Sequence, residues 1–302
     1  MKISNKLKFN KIYLLLTLCV LFWSGNFIVG RYINTTIDPV QLAFFRWISV
    51  AFLLIPFLIK DFKNILSVFR QNFLILNILA ILSVTGYNTL LYHGLQTTQA
   101  TNGLLINSIV PVEILLLSFF ILKIKIVFKQ FLGILLSLCG VVFLVVKGDI
   151  SLLKTLEFNI GDLWILSAGF VWALYSVLIK FKPQGLSILS FLSLLTYVGL
   201  FWLYLVYISC GYSITNDITL MQDNYLVIIY ISVFTSILSY IFWNLGVEKI
   251  GANQTGQFTH LMPLFGSILA YLFLGEVLHL YHLVGAVIIM IGIYLSLFNQ
   301  GK

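Results

Sequence analysis

The chain has 302 residues, of which 60% are hydrophobic and only 9% are charged, and its mean hydropathy is +1.04. Because soluble domains carry about 25% charged residues, this composition excludes a soluble enzyme or a soluble binding domain and leaves the bilayer as the solvent. The formal net charge of +8 is a signal of membrane topology, and we expect no nucleic-acid partner.

Ten stretches are apolar enough to cross a bilayer, which takes roughly 20 mainly apolar residues. They cover residues 12–33, 40–59, 72–93, 101–122, 128–147, 162–180, 187–209, 225–246, 253–274 and 281–299. The lysines before the first stretch resemble a secretory signal, but the apolar run continues to Ile33 without a small-residue cleavage pattern. The sequence therefore predicts an all-α membrane protein with ten transmembrane helices, the first of them uncleaved.

The basic residues give the orientation of these spans. With the N-terminus inside, fourteen lysines and arginines fall in inner segments, and the outer segments keep only Arg31, Lys147 and Lys154. This is a strong positive-inside bias. We expect a multi-pass protein of the inner (plasma) membrane with both termini in the cytoplasm.

Span 1 carries Trp23 and Asn26, and span 2 carries Arg46. An amide at mid-depth usually faces other helices, so Asn26 belongs either to a substrate site or to a helix-packing patch. Arg46 has two interpretations: it snorkels to the outer interface, or it belongs to an anionic-substrate site or a structural ion pair, for which Glu113 is a conceivable partner.

Spans 3 and 4 are the polar spans of the first half. Asn88 and Tyr92 are one helical turn apart and share a face, while Asn102 and Glu113 are eleven residues apart, about three turns, on one stripe with Asn107 nearby. The candidate substrate-binding residues of these spans are Asn88, Tyr92, Asn102 and Asn107. Glu113 lies deep inside its span and is the candidate coupling or gating carboxylate, with Arg46. The alternative for Glu113 is a buried structural pair with Arg46 or His260.

Aromatic and amide side chains recur in spans 6 and 8. Span 6 carries Trp172 and Tyr175, and span 8 carries Tyr240, Trp243 and Asn244. Such rings, with those of Trp23 and Tyr92, offer a stacking surface for an organic ligand. The candidate substrate-binding residues therefore include Trp23, these four aromatic residues and Asn244.

Span 9 carries a polar stripe that includes Gln257 and His260, both candidate binding residues. His260 has two interpretations that the sequence leaves open. As a titratable group in a cavity it would relay protons or bind a carboxylate; as a packing residue it would hydrogen-bond a neighbouring helix.

Part of the chain is repeated. Residues 240–296 align without gaps on residues 88–144 at a constant offset of 152. The identities include Gly94/Gly246, Ala100/Ala252, Pro111/Pro263, Leu122/Leu274, Gly133/Gly285 and Gly140/Gly292. Each proline leaves the carbonyl four residues earlier, at Asn107 or Thr259, without its usual helical partner, and such carbonyls at membrane depth are tolerated where they line a wet cavity or are buried in protein.

The copies comprise spans 3–5 and 8–10, which are five spans apart. Five is odd, so the second copy is inverted in the membrane, as in many secondary transporters. We expect two five-helix repeats around a central cavity, at residues 1–150 and 151–302.

Other site types have no support in the sequence. There is no phosphate-binding glycine loop and no His, Cys, Asp or Glu cluster with metal spacing, so we expect no cofactor and no metal. An intramembrane enzyme or flippase acting on lipid-linked substrates is the alternative hypothesis, but the acidic residues are sparse and scattered.

Several short segments, in order and spacing, are similar to the drug/metabolite transporter superfamily, in particular its EamA-type ten-helix members. These segments are Trp23-Ser24-Gly25-Asn26-Phe27, Pro39 with Arg46, Gly161-Asp162, Trp172-Ala173-Leu174-Tyr175, and Gly251-Ala252 through Pro263 to Leu274-Gly275-Glu276 with Gly285. One departure is at the end of span 4, where the family often keeps Gly-Glu and this chain has Lys123 and Ile124.

The resemblance implies two five-helix halves around a cavity and the transport of small organic solutes. We expect a non-enzymatic secondary transporter of an amino acid or amino-acid derivative, which works by alternating access. Its partners are a small-molecule substrate and the lipid bilayer, and coupling to protons or simple facilitated exchange are both open.

Overall fold

The computed structural model describes residues 2–33, 36–149, 151–152, 159–274, 277 and 279–298. Within these ranges all regular secondary structure is helical. The helices are α1 Lys2–Ile33, α2 Pro39–Lys60, α3 Phe62–Gln71, α4 Phe73–Ala80, α5 Tyr87–Thr97, α6 Ala100–Asn107, α7 Val110–Leu122, α8 Phe128–Val145, α9 Ile160–Leu178, α10 Ile188–Ser209, α11 Ile214–Asp223, α12 Tyr225–Ser232, α13 Ser239–Ile250, α14 Ala252–Gly256, α15 Met262–Leu274 and α16 Leu280–Phe298. The Gly275-Glu276 pair lies outside the described residues.

The predicted all-α architecture is confirmed, and nine of the spans appear as helices of at least 18 residues that are apolar enough to cross a membrane, in the part of the chain described. The ninth predicted span, 253–274, is divided into α14, a 3-10 segment Gln257–Leu261, and α15. Span 4 is likewise divided into α6 and α7. Both divisions lie just before a proline, Pro111 or Pro263, because proline cannot donate the backbone hydrogen bond that an uninterrupted helix requires.

Spans 3 and 8 contain a feature that the sequence did not predict. A π-helical segment joins α4 to α5 at Ile81–Gly86, and a second joins α12 to α13 at Val233–Leu238. The two π segments begin and end 152 residues apart, as do α3 and α11, and α4 and α12. The internal repeat therefore extends back to residues 62 and 214.

The packing of the helices shows how the two copies are related. Helix α5 packs on α9, and α1 packs on α13. Since α13 is the repeat equivalent of α5 and α9 is that of α1, the two pairs are copies of each other. Helices α2 and α10 pack on each other, as do α8 and α16, and each pair consists of repeat equivalents. This exchange is the signature of a pseudo-two-fold axis, and the five-span offset places that axis in the membrane plane.

Glycines bring α8 and α16 together on this axis. A Cβ on Gly133 would lie 2.6 Å from the carbonyl oxygen of Gly292, and a Cβ on Gly285 would lie 3.3 Å from that of Gly140. Because Gly285 is the repeat equivalent of Gly133, and Gly292 of Gly140, one contact is the symmetry copy of the other. Small residues allow this close backbone approach where lipid supplies no hydrophobic driving force.

Candidate functional site

The breaks in spans 4 and 9, which lie just before Pro111 and Pro263, meet at the pseudo-two-fold axis. The buried His260 ring bonds through Nε2 to the carbonyl oxygen of Ser108, 2.9 Å away. Ser108 is the residue of the first repeat that is equivalent to His260. Since a carbonyl only accepts, Nε2 carries the proton in this bond. Nδ1 lies 2.5 Å from Ser137 Oγ on α8. His260 therefore holds the break of span 9 to the break of span 4 and to α8, as its packing interpretation requires.

The two π segments present carbonyl oxygens at equivalent positions. Ser83 O accepts hydrogen bonds from Tyr240 Oη at 2.5 Å and Asn88 Nδ2 at 3.2 Å. Its equivalent, Thr235 O, accepts from Trp23 Nε1 at 3.0 Å and Arg46 Nη2 at 3.1 Å. A π segment interrupts the regular α-helical hydrogen-bond ladder, which leaves these oxygens open to side-chain donors, three of the four from other spans.

Arg46 lies at the centre of the first group of site residues, which we call the arginine cluster: Asn26, Arg46, Tyr92, Thr235 and Ser236. Arg46 Nε donates to Ser236 Oγ at 2.6 Å, and Nη1 donates to Tyr92 Oη at 2.9 Å. Tyr92 Oη in turn donates to Asn26 Oδ1 at 3.0 Å. The cluster joins spans 1, 2, 3 and 8 in the interior, and Arg46 itself is 1% exposed.

A second group, the aromatic cluster, lies beside the arginine cluster. Its members are Trp23, Trp47, Tyr87, Trp172, Tyr175, Tyr240 and Trp243, all of them buried. Trp172 is at its centre, with ring centroids of five other members 5.0–5.5 Å away. Trp47 stacks edge-on against Tyr240 at 5.3 Å. Such edge-to-face and tilted pairs are the preferred geometries of aromatic rings.

Polar groups at the edge of the aromatic cluster are only partly satisfied. Tyr175 Oη donates to Asn244 Oδ1 at 2.9 Å, and Trp243 Nε1 donates to Ser176 Oγ at 3.0 Å. In contrast, Asn244 Nδ2 and Trp172 Nε1 are buried and have no hydrogen-bond partner among the described residues. Buried donors are usually paired, and these two have free capacity for a hydrogen bond.

The structure brings most of the predicted site residues together. The arginine cluster contains Asn26, Arg46 and Tyr92; the aromatic cluster contains Trp23, Trp172, Tyr175, Tyr240 and Trp243, with Asn88 and Asn244 bonded to its tyrosines. Asn107 and Gln257 are buried at the helix breaks, where Asn107 Nδ2 lies 3.5 Å from the sulfur of Met262.

Two predicted residues lie apart from both clusters. Asn102 is half-buried on α6, and no hydrogen bond among the described residues joins it to either cluster. Glu113 is half-buried on α7, where its carboxylate lies against Gly169 of α9.

Two interpretations of charged residues are wrong. Arg46 does not snorkel to the interface, since its guanidinium is buried and bonded to three neighbouring groups. Glu113 pairs with neither Arg46 nor His260: the described ion pairs join Lys182 and Lys249 to Glu248. The hydrogen-bond partners of Arg46 could not be found from the sequence, because Ser236 and Thr235 lie about 190 residues beyond it.

Sequence reasoning missed several residues of the site. Trp47 and Tyr87 were overlooked among many aromatic residues, and Ser137 within an apolar span. Thr235 had one weak signal, because Ser83 is its equivalent at the offset of 152, whereas Ser236 had none, since its equivalent is Val84.

Within the described residues there is no group of three or more His, Cys, Asp or Glu side chains that would hold a metal ion. The clusters instead offer aromatic faces, amides, hydroxyls and one guanidinium. This donor set suits a small organic molecule with polar groups.

Comparison with known proteins gives a consistent result over nearly the whole chain. The model of the EamA-like transporter family matches residues 10–146 and 159–298. The "uncharacterized transporter YyaM" of Bacillus subtilis is 30% identical over 95% of this chain and 93% of its own length. An "uncharacterized transporter" of Archaeoglobus fulgidus is 26% identical over 96% and 99%.

More distant similarities extend to a plant protein and a solved structure. The "WAT1-related protein At3g02690, chloroplastic" of Arabidopsis thaliana is 25% identical over 93% of this chain and 68% of its own. One crystal structure of a protein superposes with a TM-score of 0.72 and 15% identity, over 95% of this chain and 96% of the other. At that identity the superposition supports the fold alone.

Proposed function

Because the chain belongs to the EamA-like transporter family, we propose that it is a secondary transporter of a small organic metabolite, an amino acid or an amino-acid derivative, and works by alternating access across the inner membrane. The observation that carries the proposal is the pseudo-two-fold packing of two inverted repeats around the arginine and aromatic clusters. Inverted repeats of this kind give inward-open and outward-open states of similar energy.

The positions of the irregular backbone support a conformational cycle. The π segments at 81–86 and 233–238, and the breaks before Pro111 and Pro263, occur at equivalent places in the two repeats. Non-α backbone inside a helix is frequent at functional sites, and loop or element-terminal positions absorb hinge motion. Equivalent flexible points in both repeats allow one half to open as the other closes. We place the boundary between the repeats at residues 150/151, of which Ile150 lies outside the described residues.

In this proposal the aromatic cluster holds the apolar part of the substrate, and Asn88, Asn244 and the tyrosine hydroxyls bond its polar groups. Asn107, Gln257 and His260 stay candidates at the breaks, and Asn102 stays a candidate in the first turn of α6. Glu113 stays the candidate coupling carboxylate, with protons as one candidate coupling ion and facilitated exchange as the alternative.

The orientation with both termini in the cytoplasm is supported by two equivalent helices. Helix α3 carries Lys63 and Arg70, whereas its repeat equivalent α11 carries Asp217 and Asp223 and no basic residue. Inverted equivalents lie on opposite sides of the membrane, and the cytoplasmic side attracts Lys and Arg. In the proposed orientation α3 lies on the cytoplasmic side and α11 on the outer side.

Counterflow in proteoliposomes tests the proposal. The purified protein is screened with labelled amino acids and related metabolites that are anionic, neutral or cationic, with and without a pH gradient. We expect saturable flux of at least one solute, with a loss of tenfold or more in Trp172→Ala. Trp164→Ala is the matched control, since Trp164 lies on the same helix and is 41% exposed. Absence of flux for every solute, or equal flux in the folded Trp172→Ala variant, would overturn the proposal.

A further inference from the structure

Arg46 is a buried cation whose partners are all neutral. Its three described hydrogen bonds go to a serine hydroxyl, a tyrosine hydroxyl and a backbone carbonyl. No carboxylate among the described residues lies within ion-pair distance of it. A guanidinium stays charged in proteins, and burying a charge without an opposite charge is costly. The protein therefore holds in its interior a positive charge that faces neutral acceptors and the ring of Trp47, whose centroid is 5.6 Å away, and no carboxylate among the described residues.

The fold itself does not require this charge. Helices α2 and α10 begin and end 149 residues apart, so the second half carries Leu195 in place of Arg46. Helices α2 and α10 pack against each other as equivalents, so the same architecture accommodates an apolar residue at the corresponding place. The asymmetry points to a role in recognition, because packing alone would be satisfied by an aliphatic side chain.

Hydrogen-bond donors are in surplus around Arg46. A guanidinium has five N–H groups, and three nitrogens of Arg46 each make one described bond. Trp47 Nε1, Trp172 Nε1 and Asn244 Nδ2 are buried donors without a partner among the described residues. The rings of Trp47 and Trp172 lie 5.3 and 5.2 Å from that of Tyr240, so these donors belong to one continuous group. An unpaired acceptor, Asn88 Oδ1, belongs to the same group through Tyr240, so the three donors outnumber it. This balance, together with one positive charge, suits a ligand with one negative charge.

We propose that Arg46 binds a carboxylate of the transported substrate and that the adjoining aromatic cluster binds the substrate's apolar part. The inference rests on the proposed transporter function and narrows it to solutes that carry a carboxylate. A single guanidinium surrounded by neutral donors matches one negative charge, and its planar fork fits the two oxygens of a carboxylate. Trp23 links the two regions, because its Nε1 and Arg46 Nη2 donate to the same Thr235 carbonyl oxygen.

Binding of three matched probes tests the assignment. Phenylacetate, phenylacetamide and phenethylamine share a benzyl group and differ in charge, and each competes for the full-length protein in nanodiscs against labelled phenylacetate. We expect phenylacetate to bind at least tenfold more tightly than the other two. We also expect Arg46→Gln to lose this preference, Arg46→Lys to keep part of it, and Arg31→Gln to keep it fully. Arg31 is the matched control, because it donates to the carbonyls of Leu95 and Gln96 near the outer end of α1.

A wild-type protein that binds the three probes equally, or binds none of them, would overturn the assignment, and neither result needs a variant. Retention of the preference in Arg46→Gln would also overturn it. The proposed transporter function is tested separately, in counterflow. Flux of a neutral or cationic solute would support that function and contradict the assignment of a substrate carboxylate to Arg46.

The melting temperature of Arg46→Gln without ligand separates a binding arginine from a purely structural one, because the two roles predict changes in opposite directions. Sites that bind ligands keep charges that cost stability, so Arg46→Gln should melt at or above the wild-type temperature. An arginine that only ties α2 to the second π segment would give a clear drop in melting temperature, and that result would contradict the assignment.

Discussion

At the scale of single residues, His260 shows how one side chain fastens the two repeats together. Its two ring nitrogens face Ser108 and Ser137, and the side chain is fully buried. Removing a buried partner costs about 1–3 kcal/mol for each polar group left unsatisfied. The histidine therefore contributes to stability through neighbours on spans 4 and 5.

We expect His260→Ala to lower the free energy of unfolding by about 1–3 kcal/mol and to lower the melting temperature in detergent. The matched control is His93→Ala, since His93 is half-buried and makes a ring contact with Trp164 at 5.8 Å. Equal melting temperatures for the two variants would show that the His260 contacts do not stabilise the fold.

Residue-level prediction from the sequence succeeded where a residue type was costly in a membrane and failed where partners were remote. Asn26 was predicted to face other helices because an amide is expensive in lipid, and it is buried, as are the candidate binding residues Asn88 and Asn244. The bond between His260 and Ser108, 152 residues apart, was not predictable from local pattern. Periodicity gives the face of a helix, whereas tertiary packing decides which groups meet.

At the scale of elements, the sequence shows the helix breaks of spans 4 and 9 but not the π segments of spans 3 and 8. The breaks of spans 4 and 9 follow from Pro111 and Pro263, because a missing donor interrupts a helix wherever it occurs. The π segments carry no such marker: Val233–Leu238 contains neither proline nor glycine. A single extra residue in a helix creates a π bulge, and only the equivalent position of the two segments reveals it.

Deletion of Phe234 tests the second π segment. Removing one residue restores a regular α-helical register, which turns α13 by about 100° relative to α12 and moves Tyr240 and Trp243 away from the aromatic cluster. We expect counterflow to fall tenfold or more. Phe234→Ala removes the same side chain, which is 38% exposed, without changing the register, and should keep most of the flux. Similar flux in both variants would mean that the π segment is not needed for transport.

Substitution of Gly292 tests the packing of α8 and α16. The Cβ of Gly292→Ala would lie 2.7 Å from the carbonyl oxygen of Gly133, so the helices must separate, at a cost of about 1–3 kcal/mol. Met290→Ala, at a lipid-facing position of α16 that is 55% exposed, should change the melting temperature little. An unchanged melting temperature for Gly292→Ala would contradict the close approach of the two helices.

At the scale of the whole molecule, composition and parity were sufficient to predict the architecture. The low share of charged residues indicates a bilayer, and ten apolar stretches indicate ten spans. The two copies are five spans apart, and this odd number of spans means that the second copy is inverted. The equivalence of residues 62–71 and 214–223 was not visible in the sequence, because the two segments share a helical structure while their charges are opposite. The structure adds the exchange of helix pairs, which places the two clusters at the interface between the repeats.

The central claim is that these clusters open in turn to the two sides of the membrane. Asn244→Cys, in a chain whose native Cys19, Cys139 and Cys210 are replaced by serine, reports on this directly when a membrane-impermeant maleimide is applied to right-side-out and to inside-out vesicles. We predict labelling from both sides, with protection by a transported solute, and no labelling of the lipid-facing control Met290→Cys from either side. Labelling of position 244 from one side only, with or without solute, would contradict alternating access.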